Sequence, residues 1–188
     1  MLANESLGIR RGLNRFLNLI WLEFLVSDQD DHIKNIYELE PVAASTPAWK
    51  SYHEIARTAL FRNDEGEYYS ALEFMAPYYD RMTPLLLSFN GEAIGTVALD
   101  KLGDDTAAMR MVAVEKTHQG QGHGRALGSL LIEFAKSYGI KKLCVNADSE
   151  AVGYYGSLGF APETWSPDES EALRKNGATS IQMVKNIS

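Results

Sequence analysis

Residues 119–127 read QGQGHGRAL, three glycines in five positions followed by an apolar turn. The stretch follows a β-rich run and opens a helical pattern. Amides at a helix N-terminus are unpaired and carry partial positive charge, so an anion is the natural guest. Glycines admit positive φ and clear the way for close backbone approach, whether for a ligand or only for a tight turn. Spacing separates the phosphate loops. The dinucleotide pattern GxGxxG fails, because its last position falls on Arg125 or Leu127, and GxxxxGK[ST] fails for want of a Gly-Lys-Ser or Gly-Lys-Thr. Q-x-x-G-x-G matches, with Gln119, Gly122 and Gly124.

The elements that must hold this loop are legible by period. Asn90-Gly91, between the β-rich runs of PLLLSFNGEAIGTVALD, is a hairpin signal, and AAMRMVAV reads as a strand ending at Val114. After the loop, Leu127, Leu130, Leu131, Phe134, Ala135 and Tyr138 recur at helical spacing until Gly139. KKLCVNA is a strand, SEAVGYYGSL a short helix and FAPETW a strand. SPDESEALRKNG is a helix capped at Ser166, and TSIQMVK is the last strand. Upstream, Thr46 and Pro47 start a helix whose face is Trp49, Tyr52, Ile55, Ala56, Ala59 and Leu60. A second helix covers GEYYSALEFMAPYY, with Asp64 and Glu67 at capping-box spacing. Residues 1–45 are an extension to the same domain in which an amphipathic helix, a strand at 20–26 and a helix after the acidic DQDD are all open; residues 46–188 form the main unit. The order implies one mixed α/β domain.

Composition bounds the function. The 188 residues suit one domain, and 18 Lys plus Arg against 25 Asp plus Glu give a net charge of -7. Broad nucleic-acid binding needs a basic face and is not expected. The single cysteine, Cys144, excludes an internal disulfide and reads as a buried packing thiol. Two arginines before FLNLIWLEFLV imitate a leader, but Asn18 and Glu23 interrupt the run, no small-residue cleavage site follows, and eleven residues do not span a bilayer. A cytoplasmic protein without membrane contact is the expectation. A homodimer is compatible with the sequence but has no signal in it.

Taken together, VAVEKTHQGQGHGRALGSLLIEFA and LCVNADSEAVGYYGSLGF resemble the GCN5-related N-acetyltransferases, the GNAT superfamily. The first carries the family's Q/R-x-x-G-x-G/A loop. The second carries A-x-x-x-Y-x-x-x-G-F as Ala151, Tyr155, Gly159 and Phe160, about thirty residues on. The resemblance runs from about residue 84 to 160. It implies a mostly antiparallel central sheet flanked by helices, with one parallel strand pair splayed around the coenzyme A site. It also implies acetyl-CoA as co-substrate, no metal, and direct transfer to the amine of a small molecule or peptide.

Site residues follow by position. Val112, Ala113 and Val114 would pair their backbone with the pantetheine arm, like an added strand. Gln119, Gly120, Gln121, Gly122, His123, Gly124 and Arg125 form the pyrophosphate loop, Arg125 placed for a charge-assisted contact. The side chain of His123 sits where packing or solvent is expected, and His118 has no chemical role. Tyr155 would hand a proton to the departing thiolate, since a phenol near ~10 and an alkyl thiol near ~8.5 are matched for exchange. Asp148 stands where relatives carry a pantetheine-binding asparagine; it accepts but cannot donate, and Asn146 is the alternative. Glu73, Asp104, Asp105 and Glu115 are carboxylates near the expected cleft, none assignable as base. The acceptor site falls to residues 46–79 and 166–178, with aromatic supply at Trp49, Tyr52, Tyr68, Tyr69, Phe74, Tyr78, Tyr79 and Trp165. The rival reading is a non-catalytic acyl-CoA-binding or regulatory domain.

Overall fold

A computed structural model describes residues 8–13, 20–26, 35–61, 64–175 and 177–187. Among them the strands are β1 (Gly8–Leu13), β2 (Ile20–Val26), β3 (Asn35–Pro41), β4 (Met82–Phe89), β5 (Glu92–Lys101), β6 (Thr106–Val114), β7 (Lys142–Ala147), β8 (Ala161–Pro162) and β9 (Ile181–Asn186). They form one sheet in the order β1-β2-β3-β4-β5-β6-β7-β9-β8. Every pairing is antiparallel except β6 with β7. The helices are α1 (Pro47–Leu60), α2 (Glu65–Met75), α3 (His123–Ser137), α4 (Val152–Ser157) and α5 (Pro167–Lys175). This is the mixed, mostly antiparallel α/β sheet anticipated above. No helix among the described residues is long and apolar enough to cross a membrane.

Side-chain alternation divides the core between two faces. Leu85 and Leu87 of β4 point to the face covered by α3, where Leu127, Leu130, Leu131 and Phe134 are buried. Leu86, between them, points to the other face and packs with Tyr52 and Ile55 of α1. Cys144 lies on that second face with Ala108 and Val184. Burial pushes its thiol up to about 11, so it remains protonated and packs as a small apolar group. Leu60, at the last turn of α1, is 38% exposed and falls outside the expected buried face.

The local starts and stops follow the side chains. Thr46 accepts from the amide of Trp49, and Asp64 from that of Glu67. In the β4–β5 turn Asn90 and Gly91 both have positive φ, the conformation that makes Asn-Gly a tight hairpin. Gly139 ends α3 with φ 77°, while the Gly139 and Ile140 amides donate to Lys136 and Ala135 carbonyls. The N-terminal part differs from two of its open readings. Its described segments are strands, and β3 runs from Asn35 where a helix after DQDD would have continued; residues 27–34 lie outside the described ones. The strand expected over FAPETW shortens to two residues. Beyond it, the Glu163 amide donates to the Gln182 carbonyl and the Trp165 and Ser166 amides to the Gln182 side chain, drawing the chain off the ladder toward α5.

Two irregularities prepare a gap. Met111 has φ +50°, and the β5–β6 register shifts opposite it, between Thr96 and Ala98. The Thr96 hydroxyl, fully buried, donates to the Met111 carbonyl at 3.0 Å and holds this bulge. The parallel β6–β7 register runs from Thr106 with Lys142 to Met109 with Val145 and then ends, although both strands continue. The pair is splayed from residue 110 onward.

Candidate functional site

The glycine loop connects the end of β6 to α3. The Gln119 side-chain amide donates to the Val114 carbonyl at 2.8 Å and that of Gln121 to Thr117 at 2.9 Å, so both glutamines brace the loop from within. Gly120 (φ 77°) and Gly122 (φ 88°) are left-handed, and a Cβ at either would meet nothing within 4 Å. That open space, at the N-terminus of α3 where the Arg125 amide is already turned back onto the Gly122 carbonyl at 3.0 Å, fits an anionic group such as a pyrophosphate. Arg125 is exposed on the same turn.

His123 contributes only backbone to this loop. Its ring is 4% exposed, hydrogen-bonded through Nδ1 to the Tyr37 hydroxyl at 2.7 Å and 4.7 Å from the Phe89 ring. Burial, then the neighbouring His118, holds its pKa below the ordinary value. His118 pairs with Glu115 at 2.7 Å.

The short α4 is docked on the start of α3. The Tyr154 hydroxyl donates to the Gly124 carbonyl at 2.8 Å, and Leu158 approaches Gly128 so closely that a Cβ there would lie 2.4 Å from it. Tyr155 is 6% exposed, its ring near Tyr154 and Phe160. Burial, with Tyr154 and Asp148 nearby, holds its phenol well above the ordinary value and therefore protonated. Its hydroxyl makes no hydrogen bond among the described residues. Tyr154 is thus the clasp between α4 and the loop.

Val112, Ala113 and Val114 lie past the bulge, on the splayed end of β6, where Ala113 and Val114 pair with Thr96 and Gly95 of β5. A Cβ on Gly95 would stand 2.9 Å from the Ala113 carbonyl, so glycine sets that approach. Asp148 is exposed at the end of β7 without a side-chain capping bond. Asn146 does not substitute for it. Its amide donates to Glu169 at 2.8 Å and its oxygen accepts from Gln182 at 3.0 Å.

These last residues belong to a largely buried network that no local pattern announces. Asp100 is fully buried and accepts from Arg81 at 2.6 Å and Arg110 at 3.2 Å. Arg110 also pairs with Glu169 of α5 and lies over the Trp165 ring. A cavity of about 850 Å³ lies on the α1 face, lined in part by aromatic residues of the 46–79 segment to which the sequence assigned the acceptor site. Met82, Pro84, Ala98 and Met111 floor it, and rings of α1, α2 and Tyr79 wall it. Of the carboxylates weighed as bases, none lines this cavity. Glu73, Asp104 and Asp105 are exposed, and Glu115 is held by Thr117 and His118, which lower its pKa.

Comparison with known proteins agrees with this geometry. The model of the acetyltransferase (GNAT) family matches residues 49–160. A GNAT family acetyltransferase from Elizabethkingia anophelis, solved with acetyl-CoA bound, is 22% identical with a TM-score of 0.60 over 80% of this chain and 97% of that one. Tetrahymena GCN5 is 19% identical with a TM-score of 0.60, over 81% and 96%. N-acetylglutamate synthase from Neisseria gonorrhoeae, complexed with coenzyme A and N-acetyl-glutamate, is 18% identical with a TM-score of 0.58. The match covers 85% of this chain but only 36% of that enzyme. At these identities the likeness is one of fold.

Proposed function

The chain belongs to the acetyltransferase (GNAT) family, and from that premise we propose that it is an acetyl-CoA-dependent N-acetyltransferase, moving acetyl directly from the thioester to the amine of a small molecule or peptide. The observation that carries the reading is convergence. The splayed end of β6, the open glycine loop and the helix bearing Tyr155 meet at one end of the sheet, joined by the Gln119–Val114 and Tyr154–Gly124 hydrogen bonds.

In this reading the amides of residues 120–125 take the pyrophosphate, and the backbone of Val112, Ala113 and Val114 pairs with pantetheine where β7 has departed. An amide of that segment polarises the thioester carbonyl. A neutral amine attacks the carbonyl carbon. The C–N bond forms, the C–S bond breaks, the nitrogen gives up a proton, and the thiolate takes one from the Tyr155 hydroxyl. Burial keeps Tyr155 protonated at neutral pH and, by raising its pKa, also makes it a weaker acid than a free phenol. Asp148, exposed at the end of β7, accepts from a pantetheine amide.

The test is thiol release from acetyl-CoA over a panel of amines, beside calorimetric CoA binding. The proposal expects both CoA binding and turnover. Binding with no turnover on any amine or peptide would instead establish a non-catalytic CoA-binding domain. Tyr155→Phe should lower kcat by about 10²–10³-fold, the scale of a lost general acid, with the CoA Kd within twofold. Wild-type kcat in that variant would remove Tyr155 from the acid role.

A further inference from the structure

The cavity on the α1 face contains one polar atom that the fold leaves unexplained. His53 is half-buried within it, its Nδ1 hydrogen-bonded to the Tyr68 hydroxyl, while its Nε2 is buried without a partner. The Trp49 and Tyr52 rings stand edge-on to the imidazole at 4.3 and 5.3 Å. An unpaired buried nitrogen costs about 1–3 kcal/mol, so its retention calls for an occupant. Burial lowers the pKa of His53 from 6.5, which leaves the imidazole neutral at pH 7. Glu54, the carboxylate among the described lining residues, is held by both oxygens on Arg57, at 2.8 and 2.9 Å. Met111, the bulge residue one position before the splayed backbone, forms part of the floor.

Resting on the acetyltransferase reading above, we propose that this cavity takes the acceptor as a compact amine with an apolar body, and that His53 Nε2 accepts the proton its nitrogen loses. Ring faces and thioether carbons offer an apolar body a dry wall, and they attract an amine head electrostatically. A hydroxyl-rich or polycationic acceptor would leave polar groups unpaired against the same wall. The proposal takes the tautomer in which Nδ1–H donates to the Tyr68 oxygen, which leaves the buried Nε2 lone pair as the unpartnered acceptor. The amine attacks neutral, having shed its extra proton to solvent. Once the C–N bond forms, its nitrogen is positively charged and acidic, and the proton passes to Nε2 as the C–S bond breaks. Solvent then returns the imidazolium to neutral and reprotonates Tyr155.

Phenethylamine and benzylamine, against putrescine and glucosamine, test the pocket by thiol release. The aryl amines should exceed the polar ones at least about tenfold in kcat/KM. His53→Gln should lower kcat for phenethylamine about 10²-fold, with the CoA Kd unchanged by calorimetry. It should also remove the extra steepness of the kcat/KM acid limb below pH 6.5, where a protonated imidazole cannot accept, and leave the shallower fall set by protonation of the amine itself. The titratable groups sharing the cavity are Lys50, Tyr52, Glu54 and Arg57 of α1, Tyr68 and Tyr69 of α2, and Tyr79. Of these side-chain types and imidazole, only imidazole ordinarily titrates between pH 5 and 8. Tyr68→Phe, which deletes one hydroxyl, gives a second reading should His53→Gln not fold: it should lower kcat and shift the same limb. Unchanged kcat and pH profile in these variants would overturn the role of His53, and preference for putrescine or glucosamine would overturn the apolar acceptor. Wild-type protein that binds CoA but acetylates none of the four amines nor any peptide would overturn the acetyltransferase reading itself.

Discussion

At the glycine loop the working atoms are backbone amides, and the space in front of Gly120 and Gly122 is where side chains would have stood. In the cavity behind α1 the relation is inverted: rings, thioethers and one imidazole make the surface, and the sheet backbone lies beneath them. A site made of backbone tolerates the loss of side chains and fails when one is added. A site made of side chains fails when one is removed. In the reading proposed above, the donor side therefore depends on the glycines and little on neighbouring side chains, while the acceptor side depends on each side chain that lines it.

Substitutions that add on one side and remove on the other sharpen this contrast. The largest effect is expected from Gly122→Val. A left-handed φ of 88° costs a branched residue about 1–2 kcal/mol, and the new methyls fill the anion space, so the CoA Kd should rise about thirtyfold by calorimetry. The KM for amine should remain within twofold. Trp49→Ala comes next, with up to about tenfold lost in kcat/KM for phenethylamine, the scale of an aromatic contact, and no change in CoA Kd. If Trp49→Ala weakened CoA as much as the amine, the two sides would not be separable. Gln119→Ala removes one neutral hydrogen bond that braces the loop, worth about 1 kcal/mol, and should raise the CoA Kd about fivefold. The smallest effect is in stability against pH. Each side holds one histidine, His123 and His53, whose folded pKa burial has lowered. Below about 6.5 the unfolded chain binds protons that the folded one refuses, so stability is complete above that pH and declines as pH falls through the folded values. Urea midpoints at pH 7.5 and 5.5 should show this decline, and His53→Gln should make it shallower while leaving the part due to His123.

What the sequence disclosed follows the same division. The positive φ of Gly120, Gly122 and Gly139 and the Asn90-Gly91 hairpin are local demands that a residue type can announce. The helix of Leu127, Leu130, Leu131 and Phe134 was legible because burial repeats with its period. Met111 was not, since nothing marks a methionine as the left-handed residue of a bulge; the buried Thr96 across the strand holds it there. His123 divides a motif position between two roles: its backbone belongs to the loop, while its ring, expected to pack or meet solvent, packs against Tyr37 of β3, a partner 86 residues away that no local signal names. The same holds for His53, whose partner Tyr68 arrives only when α2 packs beside α1, and for Asp100, whose two arginines come from before β4 and from β6. Of the strands before residue 45 only the one at 20–26 was among the open readings, and for a related reason. Their place in the sheet is given by β3 pairing with β4, a contact across more than 40 residues.

The early end of the β6–β7 ladder at Met109 and Val145 has a consequence for motion. A sheet interrupted in its interior behaves at that point like two edges facing each other, each with amides open to water. With no strand opposite them, Val112 and Val114, whose amides face away from β5, should exchange their amide hydrogens faster than residues 106–109 of the same strand. Filling the gap with pantetheine would bring both edges under one set of hydrogen bonds, so the donor would act as the missing strand that lets the two halves of the sheet move as one.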